Sequence, residues 1–143
     1  MQQDNRRSLW DLTRAAGADA ERFIANTTLH LPLAALAENA SGSGIAAELS
    51  DQSVLVSSHE QMTAALALLA LDGVARRIVL CPPDMQAEHL CYVLATAEID
   101  AIISDHPPEN AVSPAAVRYL TCRTDQLSPV PAGGTRLVTE WVL

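Results

Sequence analysis

The sequence predicts an α/β protein, a mostly parallel sheet flanked by helices, built from βαβ units and preceded by a short β-hairpin. Three observations carry that prediction. Three short apolar runs, Val54-Leu55-Val56, Ile78-Val79-Leu80 and Ala101-Ile102-Ile103, recur between Asp51 and Asp105. Two stretches with helical periodicity separate them, and the connections are short. Each run stops at turn-forming residues: Ser57-Ser58, Pro82-Pro83 and Ser104-Asp105. Strand, helix, strand, helix, strand with short links is the pattern of parallel crossover units.

The elements follow in order. Residues 1–20 read as an N-terminal extension whose segment Ser8–Ala16 is a short amphipathic helix, with Leu9, Leu12 and Ala16 on one face and Gly17 as a stop. Residues 21–50 hold a hairpin and helices. Arg22–Ala25 and Thr28–Leu31 flank Asn26-Thr27 as a two-residue turn. Pro32 then suits the first turn of a helix carrying Leu33, Leu36, Ala37 and Ala40 on one face. Ser41-Gly42-Ser43-Gly44 interrupts it, and a short helical piece runs from Ile45 to Leu49.

Residues 51–105 form the regular core. Ser58 and Gln61 have capping-box spacing, so the first core helix is expected to start at Ser58. Met62, Ala65, Leu66 and Leu69 make its stripe, and Leu68 and Leu71 widen it almost all round, which places it in a crowded interior. Asp72-Gly73 ends it, glycine suiting the left-handed cap. Asp84 is expected to cap a second helix whose shared face carries Ala87, Leu90, Cys91, Leu94 and Ala97. Residues 106–143 are looser: a loop at 106–110, a strand at Val117–Leu120, a linker at 128–134, and apolar strand character at Arg136–Val138 and Trp141–Leu143.

With 143 residues, the chain is about one domain. Its 49% apolar and 18% charged residues exclude a disordered chain. A net charge of -8 argues against a surface that tracks nucleic-acid phosphates. All nine basic residues are arginine, so no lysine in this segment can form a Schiff base or hold a transferred phosphate. No apolar run approaches the roughly 18 residues of a membrane span, and the polar start leads into no secretory h-region, so a cytoplasmic location is expected. Cys81, Cys91 and Cys122 are odd in number and lack a C-x-x-C pair; they read as buried free thiols.

Several constellations invite a sharper reading. Ser57-Ser58-His59-Glu60 combines a hydroxyl, an imidazole and a carboxylate, but neighbours in sequence do not face one another and no G-x-S-x-G elbow surrounds them; a helix cap is the better reading. His59-Glu60 and Glu88-His89 are not H-E-x-x-H, and the four histidines are scattered, so no metal site is expected. His89 reads as solvated, and Arg76-Arg77 as solvent-facing or paired with nearby acids. Ser41–Gly44 is a flexible joint rather than a phosphate loop. Cys81 is a small buried hydrophobe, and Trp10 and Trp141 are core or interface anchors.

The run Leu66–Gly73, then Pro82-Pro83-Asp84, His89-Leu90, Val93-Leu94, Ala97-Glu98 and Ile103-Ser104-Asp105, resembles the AMP-forming acyl-CoA synthetase (adenylate-forming) superfamily. Leu29–Leu36 is similar to that family's early L-T-Y-x-E-L region, although its tyrosine and glutamate are absent. Thr139–Leu143 is similar to the strand that enters the family's phosphate loop. The resemblance implies an N-terminal portion of a ligase that forms an acyl-adenylate from ATP and then a thioester with coenzyme A. It implies ATP, Mg2+ and coenzyme A for the full-length parent and none bound by this chain, which alone is expected to be inactive and to scaffold the rest. No catalytic, cofactor-binding or metal residue is therefore assigned here. The expected partners are the remaining domains of the ligase and, through apolar edge surface, a second copy of the chain. Rival readings are a stand-alone flavodoxin-like or receiver-like module, for which Asp105 at a strand end is a partial fit, and a degenerate family member kept for partner binding.

Overall fold

The computed structural model describes residues 7–16, 21–38, 45–107, 116–122 and 138–143. Five helices and seven strands lie among them: α1 (Leu9–Ala16), β1 (Phe23–Ala25), β2 (His30–Pro32), α2 (Leu33–Glu38), α3 (Ile45–Glu48), β3 (Ser53–Ser57), α4 (Gln61–Leu71), β4 (Arg77–Leu80), α5 (Ala87–Thr96), β5 (Ala101–Ser104), β6 (Arg118–Thr121) and β7 (Glu140–Val142). The expected α/β class holds. β1 and β2 pair antiparallel, and the other five strands form one parallel sheet in the order β6-β5-β3-β4-β7.

The order has a direct consequence. From the central β3 the chain crosses to β4 on one side, then back over to β5 on the other. Open α/β sheets place their ligand crevice outside the C-terminal strand ends at such a reversal. Here that reversal lies between β3 and β5, whose register sets Ser57 opposite Ser104. Ser58 and Asp105 are thereby neighbours at one edge of the sheet.

Alternation along the strands divides the core. Val54, Val56, Ile78, Ala101 and Ile103 meet Met62, Leu66, Ala67, Ala70 and Leu71 of α4 on one face, joined by Leu29, Leu31 and Leu36. Leu55, Val79 and Ile102 face the other way, onto Leu94 and Ile99, with Leu90 and Tyr119 partly buried against them. Each fully buried aliphatic side chain stabilises the fold by about 1.5–3 kcal/mol. α4 has sheet beneath it and α1 and α3 packed against it. That is why its sequence is apolar all round rather than striped. Gly73 adopts φ 82 where the chain leaves the helix, as its cap position requires.

Asp72 ties the periphery together. Its carboxylate accepts the Leu9 N–H at 2.6 Å, where α1 begins, and the Trp141 Nε1–H at 2.9 Å, in β7. Trp10 is fully buried, whereas Trp141 is exposed and held through its Nε1–H. Thr139 Oγ1 accepts the Gly73 N–H and donates to the Ala75 carbonyl, docking the approach to β7 against the α4–β4 turn.

Several local expectations are corrected by the structure. The hairpin loop spans residues 26–29, because Asn26 Oδ1 accepts the Thr28 and Leu29 N–H groups and forms the turn itself. Pro32 ends β2, and the helix expected there, α2, begins at the next residue, Leu33. α4 starts at Gln61, not Ser58, and has no side-chain cap from Glu60. α5 starts at Ala87 behind Gln86, so Asp84 does not cap it. Cys91 is exposed on α5, correcting its expected burial, because the sheet-facing stripe runs through Leu90 and Leu94; Cys81 and Cys122 are buried as expected. Val138 lies outside a strand. Gly17, Ala40, residues 41–44, most of the 106–110 loop, 128–134, Arg136 and Leu137 lie outside the described residues.

Candidate functional site

The C-terminal end of β3 continues into Ser58-His59-Glu60, which leads α4; the end of β5 continues into Asp105-His106. Parallel pairing brings these two segments together at the reversal point although they are 47 residues apart. Asp105 is the organiser. Its side chain is only 8% exposed. One carboxylate oxygen, Oδ2, accepts the Ser58 hydroxyl at 2.6 Å and the Glu60 N–H at 2.8 Å. The other, Oδ1, accepts the His59 N–H at 3.2 Å and lies 2.6 Å from His106 Nδ1.

Just past the end of β5, Asp105 therefore takes the N–H of α4's N-cap residue, Glu60, and that of His59 before it. The leading N–H groups of a helix are orphan donors, and a carboxylate there also answers the positive end of the helix dipole. Burial alone would push the Asp105 carboxyl up. The hydrogen bonds from Ser58 and His106 and from the Glu60 and His59 N–H groups outweigh it and hold the group below the usual carboxylate range. The carboxylate that a receiver-like reading would want free thus has both oxygens engaged.

Two imidazoles complete the cluster. The Nδ1 atoms of His59 and His106 are 3.0 Å apart, with ring centroids at 4.2 Å. His59 Nδ1 is 3.6 Å from Asp105 Oδ1. Tyr119 of β6 donates its hydroxyl to the His106 carbonyl at 3.0 Å, and the His106 N–H is bonded to Ser104 Oγ. Both rings are about half exposed. His59, Asp105 and His106 each offer one metal-ligating atom, all within 4.8 Å of one another. Sequence spacing hides this group: only the β3–β5 pairing makes it local.

The remaining candidates take quieter places. Ser58 spends its hydroxyl on Asp105 and the Glu60 backbone rather than on an imidazole, so no nucleophile pair forms. Arg76 pairs with Asp100, while Arg77 pairs with Glu140 at 2.6 Å and donates to the Ala97 carbonyl. His89 is exposed beside Glu88. The Cys81 thiol, 3.3 Å from Met85 Sδ, is pushed up in pKa by burial. Burial and the nearby Asp105 charge push Cys122 up to about 11. Both thiols are therefore neutral at ordinary pH and poor nucleophiles.

No protein-family profile matches the chain, and no curated protein matches it in sequence. Solved structures do. A complex of VinN with L-aspartate superposes with a TM-score of 0.57 at 19% identity, covering 77% of this chain and 31% of that one. A nonribosomal peptide synthetase, FmoA3 (S1046A) bound to α-methyl-L-serine-AMP, superposes at 0.54 with 17% identity, covering 87% of this chain and 16% of the other. The likeness is one of fold. This chain spans about a third of the first protein and a sixth of the second. Among the described residues no helix is long and apolar enough to cross a membrane.

Proposed function

We propose that this chain is the N-terminal α/β portion of an AMP-forming carboxylate ligase: an enzyme whose complete form makes an acyl-adenylate from ATP and then a thioester, with coenzyme A as the thiol. One observation carries the reading: the fold is shared with a protein bound to an aminoacyl-adenylate, across 87% of this chain. The run from Leu66 to Asp105, on which the family resemblance rests, builds α4, β4, α5 and β5 of that shared fold. Amino acids, such as those in both solved neighbours, are carboxylates, so they fall within the proposed substrate class.

The triphosphate is proposed to be held outside this chain. Gly73 is the one glycine among the described residues, and the chain has no lysine. Arg76, Arg77 and Arg118 pair with Asp100, Glu140 and Glu48. A phosphate cradle needs backbone amides and cations aimed at the oxygens. Those parts, with Mg2+ and coenzyme A, belong to the remainder of the ligase, which is this chain's proposed partner in the cytoplasm. Here the contribution is a rigid parallel sheet with an ordered crevice edge.

The coding sequence beyond Leu143 tests this. The reading expects about thirty further codons to supply a Thr/Ser/Gly-rich loop and a lysine at its end. A stop codon directly after Leu143 would overturn it in favour of a self-standing binding module.

A further inference from the structure

We propose that His59, Asp105 and His106 form a binding site for one divalent first-row transition-metal ion at the β3–β5 crevice. The inference stands apart from the ligase reading, since it uses only side chains present here. Three donor atoms converge: His59 Nδ1, His106 Nδ1 and Asp105 Oδ1, separated by 3.0, 2.6 and 3.6 Å. A point about 0.9 Å off the plane of such a triangle lies about 2.05 Å from all three corners, inside the range of zinc bonds to imidazole and carboxylate. No ligand atom has to travel far to reach it.

Each neutral imidazole can carry its single proton on Nε2, which leaves both Nδ1 lone pairs available beside the Asp105 oxygen. The carboxylate is already oriented: Ser58 and the Glu60 N–H hold Oδ2, leaving Oδ1 toward the rings. Tyr119 and Ser104 fix the His106 backbone. Two imidazoles and one carboxylate suit zinc, cobalt or iron(II) rather than magnesium or calcium, which prefer all-oxygen shells. The half-exposed rings leave further coordination positions open to water.

The test is calorimetric titration of ZnCl2 into the 143-residue chain. Expected are one ion per chain and at least tenfold weaker binding in His59→Ala and in His106→Ala. The double variant His30→Ala/His89→Ala removes the other two histidines and is expected to bind as wild type does. Co2+ in place of Zn2+ is expected to give visible absorption bands that either cluster variant abolishes. Unchanged affinity in both cluster variants, loss of binding in the His30/His89 variant, or no saturable heat up to about 100 µM Zn2+ would each overturn the proposal.

Discussion

Replacing Asp105 with asparagine keeps the side chain's shape and removes its charge. The carboxylate is almost fully enclosed and accepts from Ser58 Oγ, the Glu60 and His59 N–H groups and His106. Asparagine retains one acceptor oxygen and turns an NH2 toward donors that it cannot satisfy. Hydrogen bonds to a charged group are each worth about 1.5–3 kcal/mol net. Losing two of these four gives about 3–6 kcal/mol, reduced to about 2–4 because the histidine partners are half exposed and screened by water. With a urea slope of about 2 kcal/mol/M, the unfolding midpoint falls by about 1–2 M at pH 7. The pH dependence has a definite sign. Because the folded carboxyl is held below its ordinary value, its contribution is full above about pH 4 and is lost as pH falls further. The gap between wild type and Asp105→Asn should close on acidification through that window. Urea titrations of both proteins at pH 7, 3 and 2 measure it. A variant midpoint within about 0.2 M of wild type at pH 7, or a gap constant down to pH 2, would refute this role of Asp105.

Three further outcomes are expected. Native protein treated with a thiol reagent at pH 8 should be modified at Cys91 and spared at Cys81 and Cys122, with all three reacting in urea; mass spectrometry counts the adducts. Glu98, just past α5, holds φ 50 and is exposed, so Glu98→Gly should raise the urea midpoint by an amount equivalent to about 0.5–1 kcal/mol. Among the described residues β7 pairs only with β4 and exposes Trp141 and Val142, with Leu143 beyond it, so the isolated chain should self-associate; sedimentation giving one monomer boundary at several hundred micromolar would remove that expectation.

What was legible in the sequence was mostly periodicity. The alternation of Val54–Val56, Ile78–Leu80 and Ala101–Ile103 with two helices predicts β3, β4 and β5 within a residue or so, and Asp72-Gly73 marks the end of α4. These signals are local, and each survives whatever surrounds it. The caps were not legible in the same way. Ser58 looks like the cap of its own helix, yet a carboxylate 47 residues away takes the Glu60 and His59 N–H groups, and the hydroxyl turns to that carboxylate instead. The His59–Asp105–His106 cluster escaped for the same reason. Strand order, which decides that β5 rather than β4 flanks β3 at that edge, leaves no mark on short-range spacing. Its one advance signal was that two strand ends carry a hydroxyl, a histidine and an acid, at Ser57–Glu60 and Ser104–His106.

We propose that this chain supplies the sheet and crevice edge of an ATP-using ligase whose nucleotide-holding groups lie elsewhere. Mg-ATP titrated into the purified 143-residue chain should then give no saturable heat up to millimolar nucleotide. A saturable one-to-one isotherm in the micromolar range would show that the chain holds the nucleotide itself.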